Sequence, residues 1–272
     1  MTIYVPGKVT LRQTWQPMDP DAAAYITAVE TADGQALEEK VKIAIDNFVL
    51  GCKADGIWSA IKASCILAGA RTLAGALVPL VGTAPTNNGP FIADDYSRQT
   101  GLKGNGSTKY LNSNYALVDA LRNNRHVCVW VDTRHTAGNH AYFGSHYALD
   151  IVRPRTQLVA ASGAEDYLIS RVADETSRYS ATINNVAGLQ GVSRSSSSSY
   201  TRRAASTNQT VAVASLAGDD SDMFIFGRNT TGPQLLPSDA RLAFYSIGEA
   251  LDLAKLDARV TDLINAIGVA IP

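Results

Sequence analysis

The first third of the chain carries apolar residues at helical spacing. Asp19 followed by Pro20 is typical of a helix start, and a short helix is predicted over residues 22–30. A second helix, ending at Gly51, is predicted by apolar residues at steps of 4, 4 and 3, namely Leu37, Val41, Ile45 and Phe48. The same reasoning predicts a third helix from Ile57, Ile61 and Cys65.

From about residue 85 the pattern changes to short runs rich in β-forming residues. We predict strands over residues 126–132, 166–170, 178–183, 210–214, 223–226 and 241–245. One helix is expected between them, over residues 116–122. Several short strands joined by polar turns favour an antiparallel sandwich.

The C-terminal segment predicts a further helix. Ser246 and Glu249 have the spacing of a capping box. The following apolar residues recur at steps of 3, 4, 3 and 4, at Leu253, Leu256, Val260, Leu263 and Ile267. This is the coiled-coil spacing, sustained for about two heptads. Two interpretations stay open: a helix that docks on its own sandwich, and a short bundle that forms an oligomer.

The pattern divides the chain into four parts. Residues 1–18 are expected to form an extended arm that docks on another subunit, and residues 19–84 a helical segment. Residues 85–247 are expected to form the β-sandwich and residues 248–272 the C-terminal helix. The predicted fold class is therefore mainly β, with an α-helical N-terminal segment and a C-terminal helix.

Charge and hydropathy exclude two classes of partner. The 272 residues carry a formal net charge of −1, which argues against nucleic acid and against a polybasic membrane anchor. The most apolar stretch, residues 57–81, is interrupted by Lys62, Arg71 and Pro79, so no membrane insertion is expected. No secretory signal pattern is visible at the N-terminus.

Metal and cofactor chemistry is not expected. Three scattered cysteines without a CxxC pair, Cys52, Cys65 and Cys128, are predicted to be buried free thiols. His135, His140 and His146 lack the spacing of a metal site on one helix face. On a strand, His140 and His146 would share one side and His135 would face the other, so we interpret them as isolated side chains.

Acidic residues give no catalytic pair. The run at residues 219–222 resembles a cation-binding cluster but lacks the EF-hand glycine and glutamate, so a solvated turn is expected. Adjacent acids at residues 94–95 and 165–166 would point to opposite faces of a strand. These patterns predict that the chain is not an enzyme.

A serine-rich stretch, residues 193–203, has two interpretations. It is either a flexible loop or a solvent-facing contact loop that meets sugars or phosphates. The contact residues would be Arg194, Tyr200, Arg202 and Arg203. Tyrosine is the commonest aromatic, with 11 residues, which suits a recognition surface and also suits β-strands.

Three segments resemble a known viral module. Residues 32–38, 48–58 and 68–80 are similar to a module that recurs in structural proteins of tailed bacteriophages. The resemblance covers roughly residues 19–115.

A second resemblance is to concanavalin A-like, laminin-G-type jelly-roll domains. Residues 100–111 look like their opening strand, with apolar, Gly-x-Gly and aromatic positions, and residues 126–131 like the next core strand with its tryptophan. Residues 224–228 and 241–251 look like the late and closing strands. The metal-binding loop of the sugar-binding lectins is not recognisable, so the resemblance implies neither lectin activity nor a metal.

Together the resemblances imply a virion structural protein of a tailed phage, exposed on the particle surface. The first expectation is a tail-associated fibre or receptor-binding protein that contacts tail or baseplate proteins and a host-surface glycan. The alternative is a capsid decoration (cement) protein on the major capsid protein, and the third is a glycan-cleaving enzyme. A homo-oligomer is expected, and the resemblance implies a trimer because such virion proteins are usually trimers.

Overall fold

The computed structural model describes residues 19–271, apart from residue 137 and residues 147–154, 163–166, 175–177, 180–185, 218–219 and 232–233. The α-helices are α1 (Pro20–Asp33), α2 (Glu39–Ala54), α3 (Leu73–Ala76) and α4 (Leu253–Ala270). The strands are β1 (Ile61–Ile66), β2 (Thr86–Asn88), β3 (Tyr96–Ser97), β4 (Gly101–Lys103), β5 (Tyr110–Ala116), β6 (Arg125–Thr133), β7 (Gly138–His146), β8 (Arg155–Ser162), β9 (Tyr167–Asp174), β10 (Arg178–Tyr179), β11 (Gly188–Arg194), β12 (Ser199–Ala204), β13 (Thr207–Ala212), β14 (Asp222–Ile225), β15 (Arg228–Asn229), β16 (Gln234–Leu235) and β17 (Arg241–Gly248). The predicted arm, residues 1–18, lies outside the described residues.

The strands form two antiparallel sheets. The first sheet has eight strands in the order β13-β12-β11-β6-β17-β4-β3, with β1 also paired to β17. The second has seven strands in the order β10-β9-β8-β7-β14-β5-β2, and β15 and β16 form a small separate hairpin. The chain passes from one sheet to the other after β1, β2, β4, β5, β6, β10 and β13, and returns to the first sheet between β14 and β17. The predicted fold class, a mainly β antiparallel sandwich of jelly-roll type with N-terminal helices and a C-terminal helix, is confirmed.

Strand β6 shows how two cores share one sheet. Val127, Val129 and Val131 point into the core between the sheets. Cys128 points the other way, into a second core beneath the helices, and Trp130 packs against that core. Successive side chains of a strand alternate between faces, so an apolar run buried on both faces is expected for a strand covered on both sides.

Helices α1, α2 and α4 cover the outer face of the first sheet. Their buried side chains form one cluster with residues of β6, β11 and β17. At its centre Phe48 of α2 packs edge-on against Phe244 of β17, with ring centroids 5.7 Å apart. The helical layer and the sandwich therefore share a continuous apolar contact, which stabilises both.

Helix α4 docks on its own chain. All five heptad-spaced residues are buried in the helical core, namely Leu253, Leu256, Val260, Leu263 and Ile267. Their apolar surface is already covered by α2 and the first sheet, so the interpretation of these residues as an oligomer seam is wrong. The predicted cap is also wrong: Asp252 caps α4, accepting from the N–H groups of Ala254 and Lys255. Ser246 lies inside β17 instead.

The third predicted helix is a strand. Ile57 lies before a short 3₁₀ turn, Trp58–Ala60, and β1 follows it. β1 lies beneath the helices and beside the sandwich core, so Ile61 and Ile66 belong to one core while Ala63 and Cys65 belong to the other. Ile57, Ile61 and Cys65 recur at steps of four, which is also a multiple of the two-residue period of a strand, so this spacing fits a strand as well as a helix.

The predicted strands between residues 126 and 245 agree with β6, β9, β10, β13, β14 and β17, with shifted ends. The predicted run over residues 178–183 continues beyond β10 into residues outside the described part. The helix predicted over residues 116–122 is only a 3₁₀ turn, Asp119–Leu121.

An ion pair ties α4 to the first sheet. Arg203 of β12 donates from Nε to Asp257 of α4 at 2.8 Å, and its Nη2 lies 2.8 Å from the same oxygen. Both side chains are buried, with exposed fractions of 10% and 7%. Removing one partner of a buried pair leaves the other charge without compensation.

We therefore expect Asp257→Ala to lower the free energy of unfolding by about 3–5 kcal/mol. Asp262→Ala removes the same charge from an exposed position of α4 and should change it by less than about 0.5 kcal/mol. Denaturant unfolding of both variants measures the difference. Equal, small effects would contradict a role of the Arg203–Asp257 pair in holding α4.

A buried histidine makes stability depend on pH. His126 Nδ1 donates to the carbonyl of Glu249 at 2.5 Å, and its Nε2 accepts from the hydroxyl of Ser246 at 2.8 Å. Burial lowers the pKa of His126 from 6.5 to about 4. The folded protein therefore keeps this imidazole neutral where the unfolded chain already binds a proton.

Stability should fall as the pH drops from 6.5 towards 4, with a contribution from His126 of up to about 1.4 kcal/mol per pH unit. Burial also lowers the pKa of His135, which acts in the same direction. The measurement is therefore the difference in slope between the wild type and His126→Gln in unfolding experiments over this range. Parallel slopes would show that His126 is not the responsible group.

Candidate functional site: the polar-aromatic face of the second sheet

The two sheets differ in what covers their outer faces. The helices cover that of the first sheet, whereas the second sheet turns polar and aromatic side chains outward. In β5, Leu111 and Ser113 are buried, whereas Tyr110 and Asn112 are partly exposed and Asn114 is exposed; Tyr110 also packs against the sandwich core. This alternation follows from the two-residue period of a strand.

Strand register places four positions in one row across this face. Asn112 of β5 pairs with Phe224 of β14, Phe224 with Gly144 of β7, and Gly144 with Gln157 of β8. Tyr110 stacks on Phe224, with ring centroids 4.4 Å apart and planes inclined by 29°. Phe224 is the buried member of the pair, so Tyr110 is the ring at the surface.

Hydrogen bonds fix the polar groups beside these rings. Asn112 Nδ2 donates to Asp222 Oδ2 at 3.1 Å, and Asn229 Nδ2 donates to the backbone carbonyl of Asp222 at 2.9 Å. Arg228 Nη1 donates to Gln157 Oε1 at 2.9 Å. These bonds hold amide, carboxylate and guanidinium groups in fixed positions around the aromatic pair.

Gly144 lets Arg228 lie across the sheet. A Cβ atom at this position would stand 2.8 Å from Arg228 Cγ and 3.2 Å from Gln157 Cβ. Any larger residue would push the guanidinium away from Gln157. The glycine therefore determines where the charge on this face lies.

We call Tyr110, Asn112, Gln157, Asp222, Phe224 and Arg228 the polar-aromatic face. Phe224 and Gln157 are buried and support the other four, which are partly exposed. A flat ring can stack on the apolar side of a ligand, while amides and charged groups donate to and accept from hydroxyl or carboxyl groups. No proton transfer or nucleophile is needed for such binding.

A second concave surface lies on the helical side. A cavity of about 410 Å³ is lined by Tyr25, Trp58, Leu80 and other residues between α1 and β1. Trp58 Nε1 donates to Asp21 at 3.1 Å, and Lys53 lies 5.7 Å from the Trp58 ring centroid. Its polar groups are thus already paired within the chain, which leaves mainly apolar surface.

The serine-rich stretch is not the contact loop that the sequence allowed. Arg194, Tyr200 and Arg202 are at most 2% exposed and Arg203 is 8% exposed. Arg194 donates from Nε to the Val172 carbonyl at 2.9 Å and from Nη1 to the carbonyls of Ser196, Ser199 and Val213. These four side chains are therefore buried between strands and do not face solvent. The guanidinium groups of Arg194 and Arg203 can be buried because backbone carbonyls and Asp257 accept the hydrogen bonds that water would otherwise accept.

The rings of His135 and His140 are in contact, contrary to the expectation that they lie on opposite faces of a strand. His135 precedes β7, and its ring centroid is 4.8 Å from that of His140. His135 Nε2 donates to the carbonyl of Gly138 at 2.9 Å, and His140 Nδ1 donates to the carbonyl of Pro237. Both rings thus fix a turn. The side chain of His146 lies outside the described part.

Three described acidic residues of the predicted clusters each have a different partner within the chain. Asp95 pairs with Lys109 beside β3. Asp220 Oδ1 accepts from the Asp119 N–H at 2.6 Å, and Asp222 belongs to the polar-aromatic face. Asp219, Glu165 and Asp166 lie outside the described residues.

The three cysteines are buried and free, as predicted. Burial raises the pKa of each thiol, so none is a reactive thiolate. Among the described residues, no group of three or more His, Cys, Asp and Glu side chains is arranged to hold a metal ion.

Within that part of the chain, no helix has the length and apolar character needed to cross a membrane.

Comparison with known proteins finds low similarity. No protein-family model matches the chain, and no curated relative is found. Among solved structures, the NanB sialidase of Streptococcus pneumoniae matches with a TM-score of 0.41 and 12% identity, over 57% of this chain and 26% of the sialidase. The chain therefore spans about a quarter of that enzyme.

Two further matches are binding domains. The CBM40 domain of Ruminococcus gnavus IT-sialidase matches with a TM-score of 0.39 and 12% identity, over 52% of this chain and 83% of the domain. The binding domain of botulinum neurotoxin serotype D matches with a TM-score of 0.47 and 8% identity, over 75% of this chain and 51% of the domain. Similarities at this level assign no function to the chain.

The polar-aromatic face was not among the sites predicted from the sequence. Its signal is the alternation Tyr110-x-Asn112-x-Asn114, an outward row of one ring and two amides on a strand. The contributions of Phe224, Gly144 and Arg228 had no local signal, because strand pairing alone brings them together.

Proposed function

We propose that this chain is a virion structural protein of a tailed phage, exposed on the particle and tail-associated, which binds a host-surface glycan through the polar-aromatic face. The observation that carries the binding part is the Tyr110–Phe224 stack, at 4.4 Å, beside the fixed side chains of Asp222 and Arg228. A sugar ring presents an apolar side and hydroxyl groups, which matches a ring bordered by donors and acceptors.

The virion part rests on the resemblance of residues 32–38, 48–58 and 68–80 to the tailed-phage module. In the structure these segments contribute to α1, α2 and the layer over the first sheet. These segments lie on the helical side of the first sheet, away from the polar-aromatic face. Such an arrangement suits a protein that is attached to the particle on one side and binds the host on the other.

Tyr110→Ala should weaken binding to a glycan, identified on an array of bacterial surface glycans, by about tenfold or more, as for an aromatic contact residue. Trp58→Ala removes a half-buried ring from the helical side and should leave the affinity unchanged. Titration calorimetry with the identified glycan measures both. A loss with Trp58→Ala but not with Tyr110→Ala would move the site to the cavity beside α1, and hydrolysis of the glycan would contradict a pure binding function.

Location on the particle is tested by electron microscopy of intact phage labelled with antibody to this chain. Label at the tail is the expected result. Label over the head would contradict the tail assignment and support capsid decoration. Particles without any label would overturn the virion assignment.

A further inference from the structure

The first sheet ends at β13, and among the described residues this edge lacks the usual protection against pairing. β13 pairs in unbroken register with β12, and no other described strand pairs with it. Its six residues, Thr-Asn-Gln-Thr-Val-Ala, include no charge and no proline. Stable monomers usually shorten, charge, bulge or cover such an edge. We propose that two copies of this chain pair antiparallel along β13 to form a two-fold dimer.

The peptide groups available for this pairing follow from strand geometry. Beyond β13, the N–H groups of Val213 and Ser215 donate to the carbonyls of Ser198 and Ser197, so odd-numbered residues direct their peptide groups towards β12. Peptide groups alternate in direction along an antiparallel strand. Asn208, Thr210 and Ala212 therefore direct both N–H and C=O towards the edge, and all three side chains are exposed.

Side-chain direction fixes the register. Thr207, Gln209 and Val211 pair with Ala204, Arg202 and Tyr200 of β12, which points them to the sandwich side. A continuous sheet keeps residues of one face opposite residues of the same face, so even-numbered residues must pair with even-numbered ones. A two-fold axis through Thr210 does this and uses every outward peptide group: Thr210 meets its own copy, and Asn208 meets Ala212 of the partner subunit.

The charges that the structure describes beside β13 do not oppose this pairing. On the neighbouring strand, Arg203 is neutralised by Asp257, and Arg202 is buried with its guanidinium on Gln209. The central contact would be a threonine–threonine pair, one of the cross-strand pairs that stabilise sheets. A contact that uses the same patch on both copies closes after two subunits.

This inference goes beyond the proposed function and does not depend on it. The β13 edge belongs to the first sheet, whereas the polar-aromatic face belongs to the second. A dimer would carry two such faces, and two linked sites bind a surface more tightly than one.

The test relies on the pairing of Thr210 with the same residue of the second copy. Thr210→Lys and Thr210→Glu each place like charges opposite each other, so each variant alone should dimerise at least about tenfold more weakly than the wild type. An equimolar mixture of the two variants should recover the dimer, because unlike charges then meet. Light scattering after size exclusion should give twice the 28.9 kDa chain mass for the wild type and for the mixture.

Thr27→Lys, on the exposed side of α1, is the control with the same added charge and should remain dimeric. Circular dichroism and thermal unfolding show whether each variant is folded. A monomeric wild type at micromolar concentration, a trimer insensitive to Thr210, or a mixture that stays monomeric while both variants are folded would each overturn the proposal.

Discussion

The structure depends on burying the first sheet on both faces. β6 and β17 lie at its centre, with the sandwich core on one side and the helical core on the other. Burying apolar surface contributes roughly 25 cal/mol per Å² to the free energy of folding. A central strand that is covered on both faces therefore contributes more than one covered on a single face. It also requires that every polar group there be satisfied, which His126 achieves through Ser246 and the carbonyl of Glu249.

This constraint decides where function can lie. Helices α1, α2 and α4 cover the first sheet, and the heptad-spaced face of α4 is buried in that contact. Outer positions of the second sheet are therefore open to polar and aromatic residues such as Tyr110, and Arg228 of the β15–β16 hairpin lies against Gly144 on this sheet. The helices pack on the face of the first sheet and leave the peptide groups at its β13 edge unpaired with another described strand. Only a further strand can form a ladder of hydrogen bonds with those groups.

Charged residues in this chain often serve the fold. Arg194 sits fully buried and joins the turn at residues 196–199 to the carbonyls of Val172 and Val213. Charged side chains are buried only when they are paired or hydrogen-bonded, and here the partners are backbone carbonyls that no sequence pattern reveals. A serine- and arginine-rich run therefore resembles a surface loop in sequence although its arginines are structural.

The sequence by itself determined the fold class, the helices α1, α2 and α4, and the free buried cysteines, because local period, capping and composition carry those features. It did not determine β1, since apolar residues at steps of four fit a strand as well as a helix. The docking of α4, the meeting of His135 with His140, and the row of Asn112, Phe224, Gly144 and Gln157 arose only from tertiary structure. Each joins residues distant along the chain or lying across a turn, and strand register and packing, which act between segments, decide which of them come together.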